Sequence, residues 1–200
     1  MTEPKPWNES ETDRVARELH ERGLRKPRVL ILGWARHGKD TVAEIMRDEH
    51  GYTFESSSFF LAEKVVRPEL ERRGIAYESL DECYEDRVNH RATWRGIIGD
   101  FNGDDPSPLA RSILEVSDCY VGMRTDREYR ASRDLFDAVV WVDASRRDIP
   151  PEGRDSMDID YDPTTMFRIE NGGTIEWLRV GVRRFVEEIE SRPQMRLPLV

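Results

Sequence analysis

The stretch Arg28–Met46, RVLILGWARHGKDTVAEIM, decides how this chain is read. An apolar run, Val29 to Leu32, stops at Gly33, passes through Trp34, Ala35, Arg36 and His37, and reaches Gly38 and Lys39 before turning amphipathic. The spacing G-x-x-x-x-G-K between a strand and a helix is that of a phosphate-binding loop. Gly33 and Gly38 permit backbone angles that other residues resist, so successive N–H groups can point inward at a polyphosphate. The helix that follows starts with its positive dipole end toward the same anion, and Lys39 adds a mobile charge. The reading assigns Gly33, Ala35, Arg36, His37, Gly38, Lys39, Asp40 and Thr41 to nucleotide binding, with ATP as the nucleotide. Where such loops usually carry Ser or Thr after the lysine to hold Mg²⁺, this chain has Asp40, then Thr41. A carboxylate is a hard-metal ligand, so Asp40 and Thr41 are the candidate Mg²⁺ residues, with the division between them open.

Outward from this stretch, strands and helices alternate. On the N-terminal side, residues 1–27 read as an extension with one helix over 11–22 and a mobile start. On the C-terminal side, Thr41 to Glu49 continues the loop's helix, with Val42, Ile45 and Met46 on one face. Tyr52 to Glu55 reads as a second strand followed by Ser56, Ser57 and Ser58. These serines either contact an acceptor or cap the next helix, Phe59 to Arg73. In ECYEDRVNHRATWRGIIGDFNG, residues 82–103, Arg87, His90, Arg91 and Arg95 are spaced to share one side of a helix. They form either an acceptor-phosphate clamp or a solvated face balanced by Glu82, Glu85 and Asp86. His90 reads as a hydrogen-bonding partner.

Leu109 to Glu115 is expected as a helix, and Ser117 to Met123 as a strand delivering Arg124 to the ligand-facing edge. Asp126 to Asp134 reads as helical, with Tyr129, Leu135 and Phe136 on its buried side. Ala138 to Val142 is an apolar strand. The arginine-bearing segment 145–156, with Arg146, Arg147 and Arg154, reads either as a phosphoryl-transfer lid or as a solvated loop. Phe167 to Glu170 is a last strand, and Thr174 caps a helix whose Ile175, Leu178, Val182, Phe185, Val186 and Ile189 recur at core spacing. A tail from 192 to 200 is expected to fray.

Composition narrows the class. The 200 residues carry 31 Lys+Arg against 40 Asp+Glu, a net charge of −9, which opposes sequence-blind adhesion to nucleic acid but permits a local basic cleft. No apolar run approaches the ~20 residues of a membrane span, and no signal-peptide core is evident, so a cytoplasmic protein without membrane contact is expected. Cys83 and Cys119 lack metal-ligand spacing and read as reduced thiols. The alternation predicts an α/β three-layer sandwich, a doubly wound, mostly parallel five-stranded sheet with helices on both faces, spanning 28–191. Its ligand cleft lies above the carboxyl ends of the strands.

With HGKDT at 37–41, RVNHRATW at 87–94, GIIGDFN at 96–102, GMR at 122–124 and the late Asn171–Gly172 turn, the chain resembles the bacteriophage deoxynucleoside monophosphate kinases, a P-loop kinase-like group. Within that group, ESSSFF, EDRVNHRATW, YVGMR and FDAVVWVDAS are most similar to the phage kinases that phosphorylate 5-hydroxymethyluracil in DNA, a step toward hypermodified thymidine. The resemblance covers about Arg28 to Ile189 and would place the protein in host cytoplasm. Many kinases of this type carry Asp-x-Arg where this chain has Gly122, Met123 and Arg124. The aspartate's role passes to Asp40, Asp126, Asp143 or Glu128, or the acceptor differs.

The expected chemistry has Lys39, Asp40, Arg124 and Arg146 as catalytic groups and Ser57, Arg87, Arg91 and Arg124 on the acceptor. The leading expectation is an ATP-dependent kinase acting on 5-hydroxymethyluracil in DNA. The alternatives are a kinase of free deoxynucleoside monophosphates and a nucleotide-binding module without turnover. A monophosphate offers an anionic oxygen and needs no base; a hydroxymethyl group is a neutral alcohol and is helped by a carboxylate.

Overall fold

The computed structural model describes residues 25–150 and 157–192. The helix expected over 11–22, Arg154 with the later part of the lid segment, and the tail from 193 lie outside them. Five parallel strands form one sheet: β1 (Val29–Leu32), β2 (Phe54–Ser56), β3 (Cys119–Val121), β4 (Ala138–Asp143) and β5 (Phe167–Glu170), in the order β2-β3-β1-β4-β5. The expected α/β sandwich is therefore present, and every strand pair in it is parallel.

The helices are α1 (Lys39–His50), α2 (Ser57–Leu61), α3 (Arg67–Arg72), α4 (Leu80–Asp86), α5 (Arg91–Asn102), α6 (Pro108–Val116), α7 (Asp126–Ser132) and α8 (Ile175–Ser191). A π-helical turn, Ala62–Val66, joins α2 to α3, so the single helix expected over 59–73 is three contiguous pieces.

Alternation along each strand divides the interior into two layers. Val29 and Ile31 of β1, with Ala138, Val140 and Val142 of β4, face α1 and α8 through Val42, Met46, Leu178, Val182 and Phe185. Leu30, Leu32, Val139 and Trp141 face the other way, onto Phe60, Leu61, Leu109 and Ile113 of α2 and α6. Each fully buried Leu, Ile or Val of β1 contributes about 1.5–3 kcal/mol by leaving water. That burial on both faces fixes β1 at the centre, and so fixes where the loop after it emerges.

A smaller cluster, Ala62, Val66, Leu70, Cys83, Trp94 and Ile97, holds α3, α4 and α5 together at the β2 side. Here the expectation of one helix carrying Arg87, His90, Arg91 and Arg95 is corrected. Helix α4 ends at Asp86 and α5 begins at Arg91. Asp86 stops the first helix by collecting the Tyr77 hydroxyl at 2.8 Å and the Asn89 amide at 2.6 Å, with His90 Nε2 at 3.1 Å. Side-chain bonds to a neighbouring carboxylate replace the next helical turn, so Arg87 and Arg91 sit on different elements. Among the described residues no helix is long and apolar enough to cross a membrane.

Candidate active site

All five strands end at one edge, and the residues that follow them build the site. Gly33 leaves β1 at φ 144°, and a Cβ there would lie 2.5 Å from the Val142 carbonyl oxygen. Only glycine lets the chain turn this close to β4. Arg36 adopts φ 63°, rare for a non-glycine residue, and Gly38 follows at φ 88°. Lys39 is buried at 8% exposure, and its Nζ donates to the carbonyl oxygens of Gly33 and Trp34, each at 2.8 Å. The ammonium is thereby set across the loop it would serve, at the start of a 12-residue helix.

The loop is braced from two other strands. Ala144 N–H, after β4, donates to His37 Nδ1 at 3.0 Å. Asn171, after β5, donates from Nδ2 to the His37 carbonyl at 2.9 Å, and its own backbone N–H donates to Asp143 O at 2.7 Å. Arg147 completes the brace by donating to Asn171 Oδ1 at 2.9 Å and to Gly173 O at 3.1 Å. His37, expected among the nucleotide contacts, is buried and braces the loop twice, its ring Nδ1 accepting from Ala144 and its carbonyl from Asn171.

A cavity of about 880 Å³ opens beside the loop. Ala35, Arg36, Lys39 and Asp40 line one end; Ser57, Arg87, Gly122, Arg124 and Glu128 line the rest, with an aromatic wall of Phe59, Tyr84 and Trp94. Phe59 and Tyr84 meet edge to face at 5.4 Å, Tyr84 and Trp94 at 6.5 Å, and the Arg87 guanidinium stacks 3.8 Å from the Tyr84 ring centroid. Ser57 donates to the Gly122 carbonyl at 3.1 Å, tying the ends of β2 and β3 together. Trp94 Nε1 and Asn102 Oδ1, from the same wall, are buried without a hydrogen-bond partner among the described residues.

The remaining expected residues are distributed. Arg91 is absent from the large cavity and shares a shallower depression of about 410 Å³ with Arg87, Val88, Trp94 and Ile98. Arg146 is on the opposite side of the loop, pairing with Glu170 at 3.3 Å and lining a pocket of about 370 Å³ with Gly172, Gly173, Thr174 and Trp177. Thr41, the third residue of α1, is half-buried.

Of the four carboxylates that could take the missing aspartate's role, two are committed elsewhere. Asp126 pairs with Arg130 at 2.6 Å. Asp143 pairs with Arg168 at 2.5 Å; burial raises its proton affinity, but the bonds from Ser145 and Arg168 outweigh that and hold it below the ordinary carboxylate range. Asp40 and Glu128 line the cavity. Glu128 is 8% exposed and accepts the Tyr120 hydroxyl at 2.7 Å; burial pushes its proton affinity up to about 7.

Sequence reasoning gave no part to Tyr84, Tyr120 or Asn171. Asn171 had a visible signal, the Asn-Gly turn after a late strand.

Among the described residues no group of three or more His, Cys, Asp or Glu side chains is placed to hold a metal ion. The oxygen donors present, Asp40 and Thr41, fit a Mg²⁺ that keeps most of its shell as water and phosphate oxygens.

No protein-family model matches the chain, and no curated protein does. Among solved structures, it is similar to an unliganded sugar kinase from Janibacter sp. HTCC2649, at 19% identity and TM-score 0.42, covering 83% of this chain and 95% of that one. A gluconokinase from Sinorhizobium meliloti 1021 gives 13% identity and TM-score 0.42, covering 84% and 100%. Likenesses this distant assign neither family nor activity, and the site is read from its own residues.

Proposed function

We propose that the protein is an ATP-dependent phosphotransferase whose acceptor is the hydroxymethyl group of 5-hydroxymethyluracil in DNA. The observation that carries this reading is the continuity of the braced glycine loop with a recess of about 880 Å³ that holds both cations and an aromatic wall. The loop's amides and Lys39 suit the triphosphate. Asp40 and Thr41 would hold Mg²⁺, which when bound neutralises charge on the phosphate oxygens.

The pocket bounded by Arg146, Gly172, Gly173, Thr174 and Trp177 lies on the other side of the loop and suits the nucleotide's base. In the large cavity, Phe59, Tyr84 and Trp94 offer faces to a flipped pyrimidine. Arg87 and Arg124 suit the flanking phosphates. The acceptor oxygen attacks the γ-phosphorus in line, the bond to the β,γ-bridging oxygen breaks, and ADP leaves.

A free deoxynucleoside monophosphate fits the same recess and agrees better with the net charge of −9. The presence of Glu128, a carboxyl with the proton affinity of a base, favours the alcohol. Incubation with [γ-³²P]ATP, Mg²⁺ and an oligonucleotide containing the modified base tests the proposal. Label on the oligonucleotide is expected, and label confined to free nucleotides would overturn it.

A further inference from the structure

The acceptor half of the cavity contains one acidic group that the loop, the brace and the arginines do not use. Glu128 lies on α7, in the turn that follows Arg124, with Thr125 capping that helix by accepting the Glu128 N–H at 3.3 Å. The cap sets the helix start against β3, where Tyr120 donates its hydroxyl to Glu128 Oε1 at 2.7 Å. Tyr120 is fully buried, so this bond fixes the carboxyl's orientation. The second oxygen, Oε2, has no hydrogen-bond partner among the described residues and is the one available to the cavity that Glu128 lines.

We propose that Glu128 is the base that takes the proton of the acceptor hydroxyl, a role that rests on the alcohol acceptor argued above. As the hydroxyl oxygen bonds to the γ-phosphorus of the nucleoside triphosphate, its O–H bond breaks and the proton passes to Oε2. The electron pair of the cleaved P–O bond leaves with the nucleoside diphosphate. Glu128 then returns its proton to solvent through the open side of the cavity. A phosphate acceptor carries no such proton at neutral pH, so the role belongs to an alcohol acceptor alone.

Three observations agree with the role. A base must be held, and the Tyr120 bond and Thr125 cap hold it. A base must be matched to the working pH. Burial raises the affinity of Glu128 for its proton, the Tyr120 bond lowers it, and the balance stands at about 7. A base must also escape pairing with cations. Lys39, Arg87 and Arg124 line the same cavity along with Asp40 and Glu44, yet among the described residues Glu128 forms no ion pair and is held by the Tyr120 hydroxyl.

The test measures transfer from [γ-³²P]ATP to a single-stranded oligonucleotide carrying 5-hydroxymethyluracil, from pH 5.5 to 9, for the wild type, Glu128→Gln and Tyr120→Phe. The wild type is expected to show an acid limb in kcat/KM with its midpoint near 7. Glu128→Gln is expected to lose about 100-fold or more in kcat, to lose that limb and to keep its affinity for ATP. Tyr120→Phe removes a bond that favours the carboxylate, so its limb moves to higher pH.

A Glu128→Gln protein with wild-type kcat and an unchanged limb overturns the assignment. If that variant does not fold, a limb unmoved in Tyr120→Phe does so instead. Wild-type transfer to monophosphates alone, or to nothing, overturns the acceptor reading itself and this role with it, so the two failures are told apart by the wild type.

Discussion

The side-chain amide of Asn171 donates to the carbonyl oxygen of His37 at 2.9 Å, joining the turn after β5 to the glycine loop after β1. The two residues are 134 positions apart, and their bond is buried. Asn171→Ala leaves the His37 carbonyl without its donor and Arg147 without one of its acceptors. Such a loss costs about 1–3 kcal/mol. Urea denaturation is expected to show that drop, and ATP titration to show weaker binding. An unchanged ATP affinity would mean the brace does not shape the loop.

Gly38 is subject to a second demand from the same contact. Its φ is 88°, and a Cβ built on it would collide with Asn171 Nδ2. Gly38→Ala therefore imposes left-handed strain of about 1–2 kcal/mol and also displaces the amide. The expected result is a folded but destabilised protein whose ATP binding is reduced well beyond that of Asn171→Ala. Circular dichroism melts and calorimetric titration together check it.

Glu128 gives a pH dependence whose sign can be worked out. Its proton affinity rises on folding from 4.5 to about 7, so between those values the folded form holds the proton more tightly than the unfolded chain. Stability is therefore lost as pH rises through that window, by up to about 3 kcal/mol, and no such loss is present below it. Glu128→Gln carries no titrating proton. Relative to the wild type, its melting temperature is expected to be higher at pH 8 and nearer the wild-type value at pH 5. A difference independent of pH would contradict the burial of an ionisable carboxyl here.

Trp177 is 62% exposed and lines the pocket with Arg146, Gly172 and Thr174. A nucleotide base seated there changes its surroundings. ATP is expected to alter tryptophan emission in the wild type and much less in Trp177→Phe. Arg146→Ala is expected to raise the KM for ATP more than that for the acceptor.

Much of this arrangement was legible in the chain itself. Val29 to Leu32, a short apolar run ended by Gly33, reads as a strand buried on both faces because Gly33, Gly38 and Lys39 follow it at the spacing of a strand-to-helix glycine loop. The helical stripe Leu178, Val182, Phe185, Val186 and Ile189 is core as its spacing implies, while Ile175, expected with it, is exposed in the first turn of α8.

What escaped is non-local. Helical periodicity continues across Arg87 to His90, but Tyr77 and Asn89 bind Asp86 and end the helix, a bond that depends on a residue from the preceding turn. Periodicity marked Tyr129, Leu135 and Phe136 as the buried side of α7, and all three pack against the core, but it gave no sign that Glu128 beside them is buried too. Glu128 can be buried there because Tyr120, on β3, supplies the partner that a buried carboxyl requires. The separation of Arg146 from Arg124 follows from strand order: β4 and β3 flank β1 on opposite sides, so residues after them reach opposite sides of the loop.

The central claim is that the loop from Gly33 to Thr41 binds the phosphates of ATP. Isothermal titration of the wild-type protein with ATP and Mg²⁺ tests it most directly, with Lys39→Ala as the comparison. The account predicts saturable binding of one ATP per chain in about the micromolar to millimolar range, weakened by about tenfold or more in Lys39→Ala. No binding by the wild type, or equal binding by the variant, would contradict it.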